Sequence, residues 1–73
     1  MAAHVHIDLP EQRLGDQVYE TRTARHLTQQ QAADQIGVTQ ATLSRWETGQ
    51  QGIHPLRVGM VREWIETTTR RER

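Results

Sequence analysis

The sequence predicts an all-α fold, a compact bundle of four to five short helices, and three observations predict it. From Pro10 onward, apolar residues recur at three- and four-residue spacing, which is the period of an amphipathic helix. Threonines stand immediately before two of these apolar runs, as N-cap residues do. Glycines stand where those two runs stop, and glycine is the residue that most readily ends a helix.

Length and composition restrict the chain to one small domain. It has 73 residues, nine Arg balanced by nine acids, 34% apolar residues and no cysteine. The absence of cysteine excludes a disulfide framework, a cysteine-based metal site and a thiol nucleophile. No apolar run reaches the roughly 20 residues of a membrane helix, and residues 1–10 lack the pattern of a signal peptide. We therefore expect a soluble cytoplasmic protein without a cofactor.

Residues 1–9 are predicted to form an N-terminal arm. Apolar and polar residues alternate from His4 to Leu9, which is the period of a strand, so the arm either pairs with a second copy or stays disordered. His4 and His6 could hold a metal ion as a two-ligand arm. Two imidazoles without an adjoining carboxylate cluster make a weak site, however, and we assign no metal.

The first helix is predicted over residues 10–25, with Leu14 and Val18 on its inner face. His26 is expected to end it. Gly15 lies inside this helix, where glycine costs about 1 kcal/mol relative to alanine.

The second helix is predicted over residues 29–36. Thr28 and Gln31 have the spacing of a capping box, in which each side chain accepts a hydrogen bond from the other residue's backbone. Gly37 then permits the left-handed conformation that stops the helix. Three residues share its buried face: Ala32, Ala33 and Ile36.

The third helix is predicted over residues 40–48, with Thr39 as its N-cap and Gly49 at its end. Leu43 and Trp46 fall on its inner face. The outer face carries Ala41, Ser44, Arg45 and Thr48, with Gln40 exposed in the first turn.

A loop over residues 49–55 leads into a fourth helix, which Pro55 is suited to open. Three consecutive threonines at 67–69 are weak helix formers, so we expect this helix to fray there. We accordingly place the folded domain at residues 10–66 and a basic tail at residues 67–73. The fourth helix has a broad apolar stripe: Leu56, Met60, Val61, Trp64 and Ile65.

Residues 28–48 form the most informative unit, because they predict two helices joined by a tight turn. Small residues at 32 and 33 let the helices approach closely, and Gly37 allows the sharp turn. Two helices that cross steeply leave the second one projecting from the surface. Such a helix has the width of the major groove of DNA.

This stretch resembles the Cro/repressor type of helix-turn-helix family, also called XRE-like, of phages and bacteria. The resemblance covers about residues 12–65 and is carried by the core LTQ…A…IGV…LSRWE.G. It implies a lambda-repressor-like fold that binds double-stranded DNA as a transcriptional regulator, typically a repressor that acts as a homodimer on a palindromic operator.

The resemblance also implies roles for individual residues. Gln40 and Ala41 match the family's first two base-reading positions, and Ser44 and Arg45 lie one turn further along. A glutamine amide pairs with adenine, and Arg45 could reach guanine or a phosphate. The residues implied to contact phosphates are Thr28, Gln29, Thr48, Gln50, Gln51 and Arg57.

Arg22 and Glu47 match a pair that forms an internal salt bridge in many family members. The chain departs from the family at His26, where glycine is usual, and in the length of the loop before Pro55. It also stops before the fifth helix that often forms the dimer interface. The dimer interface is therefore expected in the fourth helix, in the N-terminal arm, or in neither.

Two other readings remain open. The fold could serve as an antitoxin or another protein-interaction module, because the chain is formally neutral whereas DNA-binding proteins are usually basic. Against this, residues 38–73 carry a net charge of +2, with six Arg and four acids. An enzyme is disfavoured, since the single serine, Ser44, has no histidine at helical spacing and no glycine-rich phosphate loop is present.

Overall fold

The computed structural model describes residues 10–70 and contains four helices there, with no strand. They are α1 (Pro10–Ala24), α2 (Gln29–Ile36), α3 (Gln40–Thr48) and α4 (Pro55–Arg70). The expected strand at residues 1–9, with its two histidines, lies outside the described residues. The all-α prediction is confirmed, and α2 and α3 have the predicted bounds.

Three helices end with one backbone motif. After each of α1, α2 and α3, an N–H donates across six residues to a carbonyl of the last turn: Leu27 to Arg22, Val38 to Ala33, and Gln50 to Arg45. This motif needs one residue with positive φ. Gly37 (φ 99°) and Gly49 (φ 81°) supply it as predicted, whereas His26 (φ 60°) supplies it after α1. A non-glycine residue is strained in this region.

The helices enclose one core. Helix α1 packs against α3 and α4, and α2 packs against α3 and α4. The core includes Ile53, which is 1% exposed although it lies in the loop before α4. The buried apolar residues are Leu14, Val18, Ala32, Ala33, Ile36, Leu43, Trp46, Ile53, Val61 and Trp64.

Two predictions about α4 are wrong. Leu56 does not face the core but is 85% exposed, and Met60 is 37% exposed, whereas Ile53 from the preceding loop is buried in the core. The helix also does not fray at the three threonines. Thr68 is buried, its carbonyl accepts a hydrogen bond from Arg25 (3.2 Å), and α4 extends to Arg70, so residues 67–70, which were expected to belong to the tail, are helical.

A close contact between two backbones explains why residue 15 is a glycine. A Cβ atom at this position would collide with the backbone carbonyl of Trp46, with the carbonyl carbon only 3.1 Å away. The glycine therefore allows α1 to cross directly over the end of α3. The loss of helix propensity at residue 15 is offset by this close approach of two backbones.

Candidate nucleic-acid interface

The structure brings the predicted base-reading residues together on the outer face of α3. Leu43 (0% exposed) and Trp46 (2% exposed) fix the helix to the core from its inner side. On the opposite side, Gln40, Ala41 and Arg45 are exposed, and Ser44 is partly exposed. This face carries amide, methyl, hydroxyl and guanidinium groups, which are the groups that can contact base edges.

The N-terminus of α2 is ordered by the predicted capping box. The Thr28 hydroxyl accepts a hydrogen bond from the Gln31 backbone N–H (3.0 Å), and the Gln31 side chain accepts one from the Thr28 N–H (2.8 Å). Thr28 is exposed and Gln29, the first residue of the helix, is partly exposed. Helix N-termini present backbone N–H groups and a partial positive charge, which favour a phosphate.

Arg22 and Glu47 form a bidentate ion pair between α1 and the end of α3. The Arg22 Nε donates to Glu47 Oε2 (2.7 Å) and its second terminal nitrogen to Oε1 (2.9 Å). The Arg22 side chain is 13% exposed and that of Glu47 is 4% exposed. A further Arg22 nitrogen donates to the Leu27 carbonyl (3.0 Å), and its guanidinium lies over the Tyr19 ring. The hydrogen bonds with Glu47 raise the pKa of Arg22 above its ordinary value.

The ion pair extends toward the outer face of α3 through Gln29. The Gln29 side-chain amide donates to Glu47 Oε1 (3.0 Å), and the Gln29 side-chain oxygen accepts a hydrogen bond from the Gln40 amide. A continuous path of hydrogen bonds therefore runs from Arg22 to Gln40. It fixes the orientation of the Gln40 amide before any ligand is present.

The sequence missed this second role of Gln29, although a signal was available. Gln29 and Gln40 are the first residues of two consecutive helices, each directly after a threonine N-cap. The tight turn at Gly37 brings the two helix N-termini to one side of the molecule. Gln29 thereby contacts Gln40 with its oxygen, while its amide nitrogen keeps a second hydrogen for a phosphate.

The remaining predicted phosphate-contacting residues lie beyond this path. The Thr48 hydroxyl donates back to the Ser44 carbonyl (3.1 Å), so it has to give up this hydrogen bond before it can donate to a phosphate. Gln50 and Gln51 are exposed just after α3, and their N–H groups donate to the Arg45 carbonyl. Arg57 is exposed in the first turn of α4 and lies on a separate element.

Two further observations concern other kinds of site. None of the helices in residues 10–70 combines the length and apolar character needed to span a bilayer. Within the same residues, no three His, Cys, Asp or Glu side chains cluster as metal ligands would.

Comparison with known proteins identifies the family. Comparisons with curated proteins and with solved structures gave no significant match. A helix-turn-helix family model matches residues 18–59, which is more than half of the chain and includes α2, the turn and α3. The chain therefore belongs to the helix-turn-helix family of the XRE-like type, and it is a DNA-binding regulator of that class.

Proposed function

We propose that this protein, encoded by a bacterium or a phage, recognises a specific duplex DNA sequence and represses transcription by occupying a promoter. The observation that carries the proposal is the orientation of Gln40 by Gln29 at the exposed start of α3. A side chain fixed before binding loses less conformational entropy when it contacts a base.

In this proposal, the outer face of α3 enters the major groove. The Gln40 amide donates to N7 and accepts from N6 of adenine, and Ala41 contacts a thymine methyl group. Arg45 donates to O6 and N7 of guanine, and Ser44 contacts a neighbouring base edge. Leu43 and Trp46 hold these four residues at a constant distance from the DNA.

Phosphate contacts on both sides of α3 set the position of the helix in the groove. The N-terminus of α2 provides one set, and the end of α3 with the start of α4 provides the other. Such contacts fix register and orientation without reading sequence. The residues assigned to this role are Thr28, Gln29, Thr48, Gln50, Gln51 and Arg57.

We further propose that the protein acts as a homodimer on a palindromic operator, as the family resemblance implies. Two recognition helices related by a two-fold axis read half-sites one helical turn apart, about 34 Å. Because bacterial DNA lies in the cytoplasm, we propose that the protein acts in the cytoplasm of the bacterium or of the phage host. The enzyme reading finds no support, because members of this family are typically DNA-binding regulators without catalytic activity.

Selection of bound sequences from random duplexes tests the proposal. We expect one enriched motif with two-fold symmetry and half-sites about one turn apart. Affinity for that duplex should fall with added salt, with a slope of about −0.9 per neutralised phosphate. Failure to enrich any motif, or an affinity that does not depend on salt, would favour a protein-interaction module instead.

A further inference from the structure

One flank of α4 has three features that the packing of a single chain leaves unexplained. Leu56 is 85% exposed, an unusual position for a large aliphatic side chain at the start of a helix. Met60, one turn later, is 37% exposed. Glu63 and Thr67 continue the same stripe at helical spacing.

The second feature is an unfilled groove beside this stripe. It lies between the end of α2 and α4 and has a volume of about 280 Å³. Its lining is apolar at Ile36, Met60 and Trp64, and the Trp64 indole N–H donates to Gln35 (2.9 Å). The groove is lined by Gln35, Ile36, Met60, Glu63, Trp64 and Thr67.

The third feature is Gly59, an α-helical glycine for which the described residues show no packing role. None of them would lie within 4 Å of a Cβ atom at Gly59, and its φ is not positive. Gly15 differs, since it is required by the Trp46 backbone. Glycine costs helix stability, and it is useful where another backbone approaches closely.

We propose that this flank of α4 is the surface on which a second copy of the chain docks. Leu56 of each copy fills the groove of the other, and the two α4 helices cross antiparallel. The midpoint between Leu56 and Glu63 falls at Gly59 and Met60, so the two-fold axis passes where glycine permits close approach. The proposal rests on the homodimer of the proposed function and locates its interface.

A second copy of the chain fits this surface because the protruding Leu56 and the groove lie on the same face of α4. A two-fold interface must be self-complementary, so one patch has to supply both. The charges agree as well. Glu63 is the acidic residue of the groove, and the antiparallel crossing brings it near the first turn of the partner's α4, which contains no acid. The positive end of a helix stabilises a nearby carboxylate.

Sedimentation equilibrium of the full chain without DNA tests the proposal. We expect the wild type to form dimers and Leu56→Glu to raise the dimer dissociation constant about tenfold or more. Thr69→Glu, which introduces the same charge at an exposed position elsewhere on α4, should leave the constant unchanged. Gly59→Gln should also weaken the dimer while circular dichroism shows an intact helical fold, because none of the described residues lies within 4 Å of a Cβ atom there.

Each contrary outcome is decisive. A wild-type chain that stays monomeric, or dimers that persist in both Leu56→Glu and Gly59→Gln, would overturn the proposal. The first of these outcomes would also be seen if residues 1–9 of the same chain covered the groove. Binding to the selected duplex is measured separately. Dimers that do not bind DNA would contradict the proposed function but not this interface. Monomers that bind a half-site would contradict this interface and the proposed homodimer, but not DNA recognition by α3.

Discussion

The backbone of Gly15 lies directly against the carbonyl group of Trp46, where helix α1 crosses the end of α3. This contact holds the outer face of α3 at a fixed distance from the rest of the bundle. It also makes residue 15 a position where helix propensity and tertiary packing oppose each other.

We expect Gly15→Ala to lower the free energy of unfolding by about 1–3 kcal/mol, because the added methyl group forces the two backbones apart. Helix propensity alone predicts the opposite, a gain of about 1 kcal/mol. Urea unfolding distinguishes the two. Gly59→Ala is the matched control, measured at concentrations where the chain is monomeric. It should gain stability, because its Cβ meets nothing. Equal gains for both variants would show that the crossing can relax.

Glu47→Ala should lower the free energy of unfolding by about 3–5 kcal/mol, since it leaves the Arg22 guanidinium largely buried without its partner. Gln40→Ala should change it by less than about 0.5 kcal/mol, because Gln40 is exposed. Chemical denaturation of both variants gives the comparison. If Glu47→Ala does not fold, Glu47→Gln keeps the shape but removes the charge and one of the two oxygens that accept hydrogen bonds from Arg22 and Gln29. Similar losses at residues 47 and 40 would contradict a structural role for the ion pair.

His26→Gly should stabilise the protein by about 0.5–1 kcal/mol. The φ of 60° costs a non-glycine residue on the order of 1–2 kcal/mol, and the larger chain entropy of unfolded glycine offsets part of that gain. His26→Ala removes the same exposed imidazole but keeps the strain, so its melting temperature should not rise. A rise with alanine equal to that with glycine would assign the effect to the imidazole.

Gln29→Ala should weaken binding to the selected duplex and reduce the preference for the base that Gln40 reads, because the Gln40 amide loses the acceptor that orients it. Competition binding with duplexes substituted at each position measures both effects. Gln30→Ala is the matched control, since Gln30 is exposed and its side chain donates a hydrogen bond to Asp34 on its own helix. Lower affinity with an unchanged base preference would limit Gln29 to a phosphate contact.

Arg45→Ala should cost about 1–3 kcal/mol of operator binding and relax the preference at one position of the site. The same competition experiment reports it. Arg62→Ala removes an exposed cation from α4 and should leave the base preferences intact. A uniform loss over all duplexes would mean that Arg45 contacts a phosphate rather than a base.

The sequence was sufficient for α2 and α3 because local interactions decide where these helices begin and end. Thr28 and Thr39 cap the first turns with their own hydroxyl groups, and Gly37 and Gly49 adopt the left-handed conformation after the last turns. Each of these interactions spans only a few residues. The face of α3 that carries the candidate site could therefore be predicted from helical period alone.

Packing between distant residues decided the features that the sequence missed. An apolar stripe indicates which residues of α4 can be buried, but the tertiary packing buries Ile53 of the preceding loop and leaves Leu56 exposed. Arg25 and Thr68 are separated by 43 positions, and their hydrogen bond holds a helix end that propensity predicts to fray. The path from Glu47 through Gln29 to Gln40 likewise depends on how three helices meet.

The two tryptophans provide separate optical reporters within one small chain. Trp46 is buried in the core, and its indole nitrogen has no hydrogen-bond partner among the described residues. Trp64 lines the groove and is tied to Gln35. Fluorescence from a variant that retains only Trp46 would follow unfolding of the chain, whereas emission from Trp64 would change when a second molecule covers the groove. Folding and self-association could then be monitored independently without any attached dye.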